Sequence, residues 1–125
     1  MTEYLVAPLE EPDWVVEAED LAAALRERWP DARVEVGAVA GSSMALEALI
    51  PLEPAPRELG VALSGTGQAV SLDPADAEAA AEFAEWFVRR VLPGRRGLHL
   101  IEPGSMRMVD LSDPMTAAQI LDAIR

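Results

Sequence analysis

The chain has 125 residues, of which 50% are hydrophobic and 5% aromatic, and 22 acidic against 10 basic residues leave a net charge of -12. This size and hydrophobic share predict one globular domain over residues 1-125, with a core built mainly from Ala, Val, Leu and Ile. The absence of cysteine excludes disulfides and thiolate metal sites, no stretch approaches the ~18 apolar residues of a membrane span, and the negative field opposes nucleic acid or an anionic membrane as partner.

Met1 to Val6 has no basic leader pattern, so a cytoplasmic location is expected. All ten basic residues are Arg, and Lys and Asn are absent, as a GC-rich genome would produce. The arginines therefore carry no signal of phosphate recognition. Charge is unevenly spread: residues 1 to 25 hold seven acids and no base, whereas Arg89, Arg90, Arg95, Arg96 and Arg107 stand against Glu102 alone between residues 88 and 107. A dipolar molecule is expected.

Tyr4 to Leu9 reads as a first strand, ended by Pro8 and the acidic run. A helix is predicted from Pro12 to Trp29. Proline suits a first turn, where its missing N-H costs nothing, Asp13 and Glu17 complement the helix dipole, and Trp14, Val15, Ala18, Leu21, Ala22, Leu25 and Trp29 share an arc of about 120°. Residues 33-36 and 44-50 alternate polar with apolar and predict a hairpin around Gly41-Ser42-Ser43. The proline-rich stretch 53-57 reads as an extended loop. Residues 59-63 and 68-72 form a second predicted hairpin about Ser64-Gly65-Thr66-Gly67. Asp73 as N-cap, Pro74 at the first helical position and Asp76 two residues on predict a helix running to Leu92, before Pro93-Gly94. Strands at 97-102 and 106-111 flank a Pro103-Gly104 turn, and Ser112-Asp113-Pro114 is expected to cap a last helix to Ile124. The order β-α-ββ-ββ-α-ββ-α implies an α+β fold: a mainly antiparallel sheet built from hairpins, with three helices packed on one face.

No catalytic motif emerges. The lone His99, between Leu98 and Leu100, is expected on the strand face opposite to theirs, and Ser42, Ser43, Ser64 and Ser105 lie in no nucleophile elbow. Neither H-E-x-x-H nor an EF-hand loop is present, so no metal or other cofactor is called for. The glycines at 65 and 67 lead into a strand and lack a lysine, which makes them a hairpin turn and not a phosphate cradle.

The second helix carries the sharpest signal. Ala77, Ala81, Ala84, Val88 and Val91 form an arc of small or branched residues, beside a second arc of Ala79, Ala80, Phe83, Trp86 and Phe87; together they span about 240°, twice the stripe of an ordinary surface helix. Either neighbouring helices bury the aromatic arc, or Phe83, Trp86 and Phe87 stay exposed as a protein-binding anchor or dimer seam. The preferred reading is a non-enzymatic acidic interaction protein that binds a protein partner or itself as a homodimer. Phe83, Trp86 and Phe87 would serve as anchor, with Arg89 and Arg90 and the acids Glu10, Glu11 and Asp13 as charged surfaces. The alternatives are an immunity-type inhibitor of a basic toxin, and a small enzyme or ligand carrier with a pocket between sheet and helices near His99 and Arg107.

Overall fold

The computed structural model describes residues 2-37, 44-54, 57-93 and 97-125. Alternation of apolar and polar side chains produces half-buried strands, and seven are described: β1 (Thr2–Pro8), β2 (Arg33–Val36), β3 (Met44–Leu52), β4 (Arg57–Ser64), β5 (Val70–Ala75), β6 (Leu98–Glu102) and β7 (Arg107–Asp110). They form one sheet in the order β2-β3-β4-β5-β1-β6-β7, and every pairing is antiparallel. The buried set is continuous across the register: Ala48 lies opposite Val61, Leu63 opposite Val70, Val70 opposite Val6, Val6 opposite Leu100 and Leu100 opposite Val109. Three helices cover this face. α1 (Ala18–Arg28) packs on β2 and β3, α2 (Ala77–Trp86) on β1 and β5, and α3 (Ala117–Ile124) on β6, β7 and the side of α2. The result is the expected α+β architecture. No helix is long and apolar enough to cross a membrane among the described residues.

Among the described residues, the opposite face of the sheet carries no helix. Glu35, Glu47, Ala62, Ser71, Leu5, Ile101 and Met108 follow one another across it as direct cross-strand neighbours.

Several local expectations shift. α1 begins at Ala18, six residues after Pro12, because residues 14-17 alternate between core and solvent up to an extended Glu17: Trp14 and Val16 are buried, Val15 is exposed, and the Val16 N-H donates to Gly67 O at 2.8 Å. The stretch around residue 54 is a turn rather than an extended loop, with Arg57 N donating to Pro54 O, so β3 and β4 pair from Leu52–Arg57 to Met44–Ser64 and the two expected hairpins merge into one meander, β2 to β5. Asp73-Pro74-Ala75 stays in β5, where Ala75 lies opposite Thr2, and the N-cap of α2 is Asp76. The cap of α3 is Thr116, not the 112-114 stretch. The turns at 41-43 and the segment of Arg95 and Arg96 lie outside the described residues.

α2 continues into a π-helical segment, Phe87–Val91, in which Leu92 N donates to Phe87 O at 3.0 Å. Both Phe87 and Leu92 are buried. Five residues apart they would diverge by about 140° on an α-helix; the wider turn brings both to the core.

Candidate interaction surface

The aromatic arc of α2 is not an exposed anchor. Phe83 and Phe87 are 0% and 1% exposed, and Trp86 is half-buried. The cover comes from the chain itself: Trp29, at the end of α1, stacks on Phe83 with ring centres 6.3 Å apart and meets Trp86 edge-on at 5.0 Å, while Phe87 stacks on Phe83 at 5.6 Å. Sheet, α1 and α3 together occupy the 240° arc, so Phe83 and Phe87 are core residues, and the seam expected of them is corrected.

Arg89 and Arg90 are exposed at the rim of Trp86, where each finds an acid of its own chain. Arg89 pairs with Glu85 at 3.3 Å, one helical turn back, and Arg90 reaches Glu27 of α1 at 3.4 Å. Glu85 also accepts from the Ala117 N-H, which ties α2 to α3. Exposed pairs of this kind contribute about 0 to 1 kcal/mol each.

His99 lies on the sheet face opposite to buried Leu98 and Leu100, with Nδ1 2.9 Å from Gly97 O, and not between sheet and helices. Arg107 is exposed on the edge strand β7. Ser64 bonds Thr66 and accepts from Gln68 N and Ala69 N, and Ser105 donates to Glu102. None of these serines contacts His99 among the described residues.

The three acids read as an interaction face, Glu10, Glu11 and Asp13, sit together on the connection from β1 to α1. They are exposed and form no ion pair among the described residues. The loop bearing them is pinned. Trp14 and Val16 are plugged into the core, Val16 N donates to Gly67 O, and Gln68 Nε2 donates to Trp14 O at 3.2 Å and Pro12 O at 3.5 Å. Gly67 makes the dock: its φ is +72°, and a Cβ there would stand 2.7 Å from both Val15 Cγ1 and Val16 O. Two large apolar side chains, Leu9 and Val15, project from the same loop at 56% and 57% exposure. Beside them the loop and His99 enclose an open hollow of about 440 Å³, walled by Glu10, Glu11, Asp13 and Trp14. Sequence reasoning found the acids but missed Leu9, and it placed Val15 on the buried stripe of a helix. Trp14, Val15 and Val16 are three apolar residues in a row, so no local pattern marked Val15 as the one that faces solvent.

A scan against protein-family models finds no match to this chain, and searches of curated proteins and of solved structures find no significant match either.

Proposed function

We propose that the chain is a non-enzymatic binding protein that docks the β1-α1 loop, residues 9-17, onto a basic surface of a protein partner. The observation that supports this reading is the loop itself: carboxylates with no ion pair among the described residues, and two exposed apolar side chains, held on a backbone that tertiary contacts have already ordered. Apolar anchors within a charged ring are the composition of energetic centres in protein interfaces, and the acid-walled hollow has the chemistry to accept an Arg or Lys side chain stacked toward Trp14. Pre-ordering matters for strength, because a loop that is rigid before binding loses little entropy on binding. That favours tight masking of a basic protein, as an inhibitor of a basic toxin requires, over a weak transient contact.

The test is site-specific photocrosslinking in the source cells, with the crosslinker at position 9 or 15 and, as control, at exposed Glu78 on α2. The expected result is a product seen from positions 9 and 15 but not 78, which disappears when Glu10, Glu11 and Asp13 are changed to Arg. A Gly67→Ala variant, which displaces the loop and leaves its charges in place, should weaken the same product. Identical products from all three positions, or products indifferent to the charge reversal, would remove the proposal.

A further inference from the structure

We infer that β2 is a self-pairing edge, through which two copies of this chain join their sheets antiparallel about Val34, with Arg33 of each copy opposite Glu35 of the other. This surface is separate from the 9-17 loop, so either idea survives failure of the other.

The backbone is poised for it. Gly37 N donates to Ala45 O, and Glu35 and Arg33 lie opposite Glu47 and Leu49 in the same register. The odd-numbered residues of β2 therefore turn their N-H and C=O groups toward β3, and Val34 and Val36 turn theirs to the open edge. An antiparallel pairing about Val34 forms two hydrogen bonds between the Val34 residues. It adds two more from Val36 N-H to the Ala32 carbonyl of the other copy; the Ala32 N-H itself is already taken by Trp29 O.

Side-chain chemistry selects this register. A two-fold axis normal to the sheet keeps the helix-bearing faces on one side, so only residues of equal parity can stand opposite each other. Within Arg33–Val36, centring on residue 33 sets Arg against Arg, centring on 35 sets Glu against Glu, and centring on 36 pairs no opposite charges. Centring on Val34 alone sets Arg33 against Glu35 twice. β7, the other edge, has no equivalent: about Met108 no opposite charges meet, and about Asp110 two acids do.

One defect of the single chain is also relieved. Glu35 and Glu47 are direct cross-strand neighbours, both exposed, and neither has an ion pair among the described residues. Like charges directly opposite destabilise an antiparallel pair. Arg33 of the second copy would enter the same row on the far side of Glu35. Charged edges normally discourage pairing; with two opposite charges spaced two residues apart, the same device admits one register.

The contact is short, so it should appear as a concentration-dependent equilibrium. Sedimentation from about 10 μM to 1 mM should show the mean mass rising toward a dimer. Arg33→Glu and Glu35→Arg should each weaken association about ten-fold (1.4 kcal/mol), and the double reversal, which restores opposite charges across the axis, should regain it. Val34→Pro, which removes an outward N-H with no partner among the described residues, should abolish it; circular dichroism melts check that each variant is folded. A wild type that stays monomeric throughout, single reversals without effect, or a double variant no better than the singles would overturn the inference.

Discussion

At residue 76 one carboxylate accepts from the Ala79 N-H at 2.8 Å and from the Arg57 guanidinium at 2.9 and 3.1 Å, joining the first turn of α2 to β4. The Arg57 hydrogen bond holds the carboxyl below its ordinary value of 3.8, opposed by partial burial and assisted by the backbone N-H of Ala79. With the folded-state value below the unfolded one, the ionised group adds stability that is present above the unfolded value and disappears as pH falls through the folded one. Asp76→Ala should therefore cost about 0.5 to 2 kcal/mol at neutral pH, and the gap between its thermal melt and that of the wild type should narrow in strong acid. Asp73→Ala should change stability by no more than about 0.5 kcal/mol, because Asp73 is exposed in β5 and caps nothing. Melts in which residue 73 proves the costlier position would contradict this assignment. Asp73-Pro74 carried the stronger local helix-start signal. It lost because Ala75 pairs with Thr2 and Arg57 reaches Asp76, and neither contact can be seen in a nine-residue window.

α3 starts with a complete capping box, in which the Thr116 hydroxyl accepts from Gln119 N and the Gln119 side chain accepts from Thr116 N. Thr116→Ala should cost about 1 kcal/mol and Asp113→Ala far less, a difference that urea denaturation resolves. This box was legible as Thr-x-x-Gln, and a nearer Ser-Asp-Pro run masked it. α1 is different. Its proline and acids are genuine start signals, yet Trp14 and Val16 gain more by docking extended against the β4-β5 turn than by joining a helix. That choice also creates the candidate site, since a helix from residue 12 would have buried Val15 on its apolar stripe and left no rigid loop to carry Glu10, Glu11 and Asp13.

The whole molecule carries -12 charges, and only three ion pairs are found among the described residues. Self-repulsion, including the Glu35 and Glu47 pair, opposes the compact state and is screened by salt. The melting temperature should accordingly rise between about 20 mM and 500 mM sodium chloride; calorimetry showing a flat or falling trend would mean that repulsion does little to limit stability. Any loop-mediated complex should respond in the opposite sense and weaken with salt, because there the charges attract.

The amino-acid sequence by itself determined the strand and helix inventory, the half-buried alternation, the tight turn at 64-67 and the exposed acids, all of which depend on neighbours within a few residues. Only tertiary structure decided that β1 inserts between β5 and β6, that Trp29 closes over Phe83 while α3 packs on the side of α2, and that Leu9 and Val15 face solvent on a pinned loop. Those outcomes rest on contacts between segments distant along the chain. Burying a large side chain gains about 1.5 to 3 kcal/mol, more than the roughly one kilocalorie by which a local cap or propensity favours one conformation over another.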